Sequence, residues 1–237
     1  GKTYTEAKQN VEYAKRNFEN TETHNAVPEQ KPMHWYCDSW LQTNRLRLRD
    51  STYIKYRGFL DHHINPFFGN LLPAEISSQT VSAFSDLLLE TKGLSLKTVR
   101  DILSALNAIF HYITKHFPDL MGVVDVVYPA AAWSEIRVLT VEEQQILTTY
   151  LLEDMNLCKF GILLALLTGI RIGELCALRW DHVLLDSKLL RVDASMQRLK
   201  NLSPDAGSKT AVVIGSPKSQ SSIRSIPMPD YLVDLCH

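Results

Sequence analysis

In Thr168-Gly-Ile-Arg-Ile-Gly-Glu-Leu-Cys-Ala-Leu-Arg-Trp-Asp181, Arg171 follows directly on the most apolar run of the chain, Phe160 to Ile170. That placement sets Arg171 at the edge of a core. A guanidinium keeps its charge there, so it requires carboxylate, phosphate or carbonyl partners. Glu174, three residues on, falls on the same helical face and can hold it. Gly169 permits a tight entry turn, and amides at a helix start beside Arg171 favour an anion. Two readings fit these residues: a plain ion pair tying two helices together, or a rigid bidentate clamp for a phosphate with one edge left free.

Downstream, the period changes. The runs LLRVDAS (189–195), TAVVIGS (210–216) and SIRSIPM (222–228) are short and β-rich. They predict a three-stranded antiparallel sheet with a long first loop near Lys200–Lys209 and a tight second turn near Lys218–Ser222. Lys218, at the tip of that turn, is either a solvated lysine or a proton donor and charge for a phosphate. A last helix is expected from Pro229 or Asp230.

Upstream, the spacing predicts helices throughout. Thr140-Val-Glu-Glu143 has capping-box spacing and opens a helix to about Leu152. Residues 156–167 are apolar nearly all round and therefore expected to be central, and Arg171–Leu178 forms the next helix. Before these, Trp35, Tyr36, Trp40 and Leu41 lie at helical spacing. Asp50 or Ser51 can cap a second helix stopped by Pro66 and Gly69, and Ser77 or Ser78 a third ending near Gly93. Ser95 can cap a long fourth helix, whose Val99, Ile102, Leu103, Leu106, Ile109, Phe110 and Ile113 define one wide buried face. Residues 1–31 are polar, with a short helix near Thr5–Phe18. Pro118–Ser134 carries two prolines, a glycine and three alanines without a period, which reads as a linker.

Composition narrows the class. The 237 residues are 45% hydrophobic and 22% charged, an ordinary globular balance that excludes a disordered tail, a fibre or a disulfide miniprotein. The run at 160–170 is 11 residues, against roughly 20 needed to span a bilayer. The polar N-terminus has no signal-peptide core. Cys37, Cys158, Cys176 and Cys236 stand far apart, and three sit in apolar patterning, so they are expected to be buried thiols in a cytoplasmic protein. Net charge is −1, yet the basic residues are clustered. Leu41–Arg57 holds Arg45, Arg47, Arg49, Lys55 and Arg57 against Asp50 alone. Lys188–Arg224 holds seven basic residues, among them Arg198, Lys200 and Lys209, against Asp193 and Asp205. Each run can be a solvated face. Together they also suit a duplex, which is held by local positive charge.

TGIRIGELCALRWDHV (168–183) and PKSQSSIRSIPM (217–228) together resemble the tyrosine recombinase (phage integrase) family, in particular the integrases of conjugative transposons. DSTYIKYRGFLDHHINPFFGNLLPAEIS (50–77) and GLSLKTVRDILSALNAIFHYI (93–113) are similar to that family's core-binding domain. The resemblance covers about residues 33–237, and GKTYTEAKQ looks like a helix leading out of a small arm-binding domain. It implies a mainly α fold with a small antiparallel β-sheet: an N-terminal helix and linker (1–32), a helical SAM-like core-binding domain (33–118), an interdomain linker (119–135), and the N-terminal part of an α+β catalytic domain (136–237).

The resemblance also implies roles. Arg171 would be a catalytic arginine, Glu174 its orienting acid and Lys218 the lysine assisting the leaving 5′ oxygen. The two basic patches and the length of the linker, taken apart from the resemblance, lead to the expectation that Arg45, Arg47, Arg49 and Lys55 would meet phosphates. Ser95, Lys97 and Arg100 would approach the major groove, and Arg198, Lys200 and Lys209 would act from the catalytic side, the two domains clamping a duplex. The implied function is a site-specific recombinase that integrates or excises a mobile element through a 3′-phosphotyrosyl intermediate, acting as a tetramer on paired DNA sites without metal or other cofactor. The family's His-x-x-Arg box, a later His or Trp, and its tyrosine would follow the sheet. Tyr231 stands too close to Lys218 and His237 supplies no box, so these 237 residues are expected to be an incomplete catalytic domain, inactive alone. A non-cleaving DNA-binding module and a scaffold without nucleic acid are the competing expectations.

Overall fold

The computed structural model describes residues 30–130, 135–201, 207–217 and 219–236. Two compact units account for the contacts, the first ending at residue 132 and the second beginning at 133. The expected helix at Thr5–Phe18 lies outside the described residues.

In the first unit, α1 (Met33–Thr43) buries Met33, Tyr36, Cys37, Trp40 and Leu41 along one stripe. Then α2 (Asp50–Phe59) passes through a widened turn (Leu60–Ile64) into α3 (Asn65–Phe68). Neither Asp50 nor Ser51 caps α2: the capping position is Arg49, with no side-chain cap. Asp50 instead sits in the first turn, where the helix end favours an anion, and accepts from Arg45 Nη2 at 2.7 Å. Pro66 does not stop the helix either. It occupies the first turn of α3, where its missing N–H is least costly, and Lys92 Nζ donates to the His62 carbonyl at 2.9 Å. The stop comes at Gly69, whose N–H reaches Asn65 O at 2.9 Å. A Cβ at Gly69 would lie 2.4 Å from that oxygen.

Ser77 caps α4 (Ser78–Asp86) and Ser95 caps α5 (Leu96–His116), each hydroxyl accepting from the amide three residues on. All seven apolar positions expected of α5 are buried, against Leu60, Ile64, Phe68, Phe84 and Leu88. The Phe68 and Phe84 rings meet edge to face at 4.9 Å. Truncating a central leucine such as Leu106 to alanine costs about 2–5 kcal/mol in a core of this kind. Part of the stretch expected as a linker runs along this core. Met121 is buried, Val124, Val126 and Tyr128 pack on the cluster, and Asp125 N donates to Ser78 Oγ at 2.8 Å.

In the second unit, Thr140 and Glu143 form the expected capping box at the start of α6 (Val141–Leu152). Asn156 caps α7 (Leu157–Thr168), which ends at Gly169 with φ +65°. The central, all-round burial expected of α7 is not found: only Leu163 and Leu164 are buried, while Leu157 is 86% exposed. Within this unit α7 is packed on one side, by α6 and by α8 (Ile172–Cys176), which is shorter than the expected 171–178. The thiols also depart from expectation. Among the described residues all four are free, but only Cys37 is buried, and Cys158 and Cys176 are exposed. Apolar neighbours in sequence do not bury a residue that faces away from the core.

The expected three-stranded sheet is replaced by two sheets. β1 (Val183–Leu184), β2 (Leu189–Val192) and β5 (Arg224–Pro227) form one antiparallel sheet in the order β1-β2-β5. β3 (Ser195–Lys200) and β4 (Thr210–Gly215) form the other, in register from Ser195 with Gly215 to Lys200 with Thr210. The run 189–195 breaks at Asp193–Ala194, where the chain leaves one sheet for the other. α9 (Asp230–Asp234) closes the core with Leu232 and Val233.

Candidate functional site

α8 has only five residues, too few to hold itself by helical hydrogen bonding. Contacts to both sheets position it. At Gly173 an added Cβ would lie 2.7 Å from Ser195 Oγ and 3.0 Å from Met196 O, so α8 presses on the β3 backbone where a side chain would not fit. From the other sheet comes Arg224, the first residue of β5. It donates to Glu174 through Nη1 to Oε1 at 3.2 Å and Nη2 to Oε2 at 2.9 Å.

Arg171 and Glu174, singled out from the sequence, are brought together. Arg171 Nη1 donates to Glu174 Oε1 at 3.0 Å, and the Arg171 amide donates to Oε2 at 3.1 Å. Glu174 is 4% exposed and receives four donors, two on each oxygen, which matches the capacity of a carboxylate. Arg171 is 71% exposed and Arg224 is 29% exposed at their side chains. One arginine is embedded and the other faces solvent. Bonds from Arg224, with the Arg171 amide and guanidinium, hold the Glu174 carboxyl down to about 2 against the opposing push of burial. The same Glu174 raises the Arg224 pKa.

That depression has a thermodynamic consequence. The folded pKa of Glu174 lies below its ordinary 4.5, so the stabilisation is complete above about pH 5 and lost as pH falls toward 2. It amounts to at most about 3 kcal/mol, since the arginine partners are partly hydrated. Glu174→Gln should therefore unfold more easily than the wild type at pH 7, with the gap closing towards pH 2. Thermal unfolding of both proteins across that range measures it, and a gap independent of pH would contradict the assignment.

Arg224 was the residue that sequence reasoning missed as part of the site, having only been counted within a basic run. The signal was faint: a single basic residue in an otherwise uncharged strand, two residues after the turn. Lys218 lies outside the described residues. Ser222, which ends the short helical turn Gln220–Ser222, accepts from Arg224 Nη1 at 3.1 Å through its carbonyl.

The remaining candidates are dispersed. In the first unit Arg45 pairs with Asp50 and lies over the Tyr53 ring at 4.6 Å. Lys55 pairs with Asp101 at 2.8 Å, and Arg47, Arg49, Ser95 and Lys97 are exposed. Arg100 is half-buried, donating to Pro129 O at 2.7 Å beside the Tyr128 ring, so it secures the segment that follows α5. In the second unit Arg198 is exposed on β3 and donates to Thr210 Oγ1 at 3.2 Å, while Lys200 and Lys209 are exposed where β3 and β4 are joined. Among the described residues no group of three or more His, Cys, Asp or Glu could hold a metal ion, and no helix is long and apolar enough to cross a membrane.

Known proteins match both units. Residues 35–88 match the family model described as phage integrase, N-terminal SAM-like domain. A tyrosine recombinase XerC-like protein of Caldanaerobacter subterraneus subsp. tengcongensis is 25% identical over 210 residues, covering 83% of this chain and 52% of that protein. The ICEBs1 integrase of Bacillus subtilis is 26% identical over 201 residues, covering 83% and 51%. The chain thus spans about half the length of these relatives. Among solved structures, the Tn1549 transposon integrase in complex with a circular intermediate DNA superposes with a TM-score of 0.67 at 20% identity, covering 84% of this chain and 62% of that one. A lambda integrase tetramer bound to a Holliday junction gives 0.56 at 20% identity, covering 77% and 56%. At such identities these two likenesses concern the fold.

Proposed function

We propose, starting from the chain's membership of the tyrosine recombinase (phage integrase) family, that the full-length protein binds duplex DNA and exchanges strands at specific sites to integrate or excise a mobile element. The observation that carries this reading is the solvent-facing guanidinium of Arg171, fixed by a buried and fully bonded Glu174. An arginine held along one edge presents its other N–H groups at set angles, which suits the non-bridging oxygens of a phosphodiester.

In this reading Arg171 binds the scissile phosphate and stabilises the charge that develops as a tyrosine attacks, forming a 3′-phosphotyrosyl ester. The ester conserves the energy of the broken bond, and a 5′-hydroxyl reverses the step on a second strand. Glu174 keeps the guanidinium oriented. Lys218 serves the leaving 5′ oxygen. Arg45, Arg47, Arg49 and Lys55 on one unit, and Arg198, Lys200 and Lys209 on the other, neutralise phosphates. The ion pairs Arg45–Asp50 and Lys55–Asp101 are exposed and worth at most about 1 kcal/mol each, so phosphate can replace them. Ser95 and Lys97, at the exposed start of α5, approach base edges, and a homotetramer on paired sites completes the exchange.

A suicide duplex nicked beside the cleavage site tests this reading with the full-length protein. The nick lets the 5′ fragment diffuse away and traps the covalent adduct. Denaturing electrophoresis should show a shifted protein band that depends on the matched DNA site. Binding without any such band would overturn strand cleavage.

A further inference from the structure

We infer that Arg224 is a positioning residue that sets Arg171 and the short helical turn Gln220–Ser222 in one frame; this rests on the recombinase reading above and adds a residue to it. Arg224 spends its guanidinium on three acceptors from two segments. Nη1 donates to Glu174 Oε1 and to Ser222 O, and Nη2 donates to Glu174 Oε2. Its backbone is fixed by the sheet, since Arg224 pairs with Val192 of β2. A rigid strand thereby reaches across to a five-residue helix that has little intrinsic stability of its own.

Without Arg224, Glu174 would keep only the two donors from Arg171, one of them on a side chain that is 71% exposed. A buried carboxylate short of donors either draws in water or turns toward its remaining partner, and Arg171 moves with it. The Ser222 carbonyl would be released at the same time. Arg171 at the entry to α8 and the turn Gln220–Ser222 before β5 thus both depend on one guanidinium. The fork geometry matters here: an ammonium can restore the charge but cannot meet both carboxylate oxygens and a carbonyl in one plane.

Three variants of the full-length protein test this: Arg224→Gln, Arg224→Lys, and Arg224→Gln combined with Arg171→Lys. A misplacement of about 1 Å in a reacting group costs up to roughly 10²-fold in rate. Cleavage of the suicide duplex at saturating DNA should therefore fall about 10- to 100-fold in Arg224→Gln, with binding changed less than about threefold. Arg224→Lys should recover thermal stability while cleavage stays well below wild type. In the Arg171→Lys background, Arg224→Gln should cost little more, because both changes disable the same contact. Wild-type cleavage by Arg224→Lys, or fully additive losses in the double variant, would overturn the inference.

Amide hydrogen exchange at Arg171 gives a second measure that needs no cleavage. Its N–H is held by Glu174 Oε2, so exchange should quicken at least about tenfold in Arg224→Gln while amides within α5 stay protected. Unchanged protection at Arg171 would overturn the inference. If the wild-type protein cuts no DNA, the recombinase reading fails, and the exchange experiment still decides what Arg224 holds.

Discussion

Arg171→Lys in the full-length protein is expected to lower strand cleavage by at least about 10²-fold, roughly 2.7 kcal/mol of transition-state stabilisation. The substitution keeps the charge and removes the planar fork. An ammonium at the end of the lysine chain can meet Glu174 or one phosphate oxygen, but cannot present two parallel N–H groups while held. The fold should hardly notice. Arg224 still supplies two bonds to Glu174, and the residue 171 amide supplies another, so the buried charge stays compensated. Thermal stability should shift by less than about 1 kcal/mol, as expected for a pair whose cation is mostly exposed. DNA affinity should also change little, since phosphates elsewhere carry most of it. Measuring cleavage, melting and binding on matched samples separates a phosphate clamp from a plain ion pair. Near-normal cleavage by the folded lysine variant would remove Arg171 from the reaction.

Affinity for duplex DNA is expected to fall about 10³-fold or more between 50 and 200 mM salt, the loss typical of six to ten phosphate contacts. The near-zero net charge of the chain does not oppose this. The candidate contacts are grouped on α2 with its preceding loop and on the β3–β4 hairpin, and counterion release depends on local contacts. The structure ranks them. Arg47 is exposed, so its loss should reduce the salt slope by nearly one unit. Lys55 must first leave Asp101, so its loss should cost less, and Asp101→Asn should tighten binding by a few fold. Arg100→Gln should act differently, loosening the segment at Pro129 more than altering the slope. Mobility-shift titrations at four salt concentrations resolve these cases. Binding that ignores salt would sink the phosphate assignment for both units.

What could be read from the sequence was whatever local chemistry dictates. The capping serines 77 and 95, the Thr140–Glu143 box and the seven-residue stripe of α5 depend on neighbours within a turn or two, and each is found as expected. The Arg171–Glu174 contact spans three residues and was legible for the same reason. Periodicity also located β-forming runs near 189, 210 and 224.

Partners were not legible. Strand-forming runs carry no label for which run each will pair with, because register is set by what both faces of a sheet must bury. The break at Asp193–Ala194, and the pairing of Val192 with Arg224 in place of a single three-stranded sheet, follow from that wider packing. The same holds for α7, where hydrophobicity all round the helix says what could be buried and not what covers it. Arg224 is the sharpest case. Nothing within four residues distinguishes it from any basic residue on a strand. Only the fold, by setting β5 beside α8, brings its guanidinium across 50 residues of chain to Glu174. A buried carboxylate needs more donors than its own turn can supply, and the tertiary structure decides which arginine provides them.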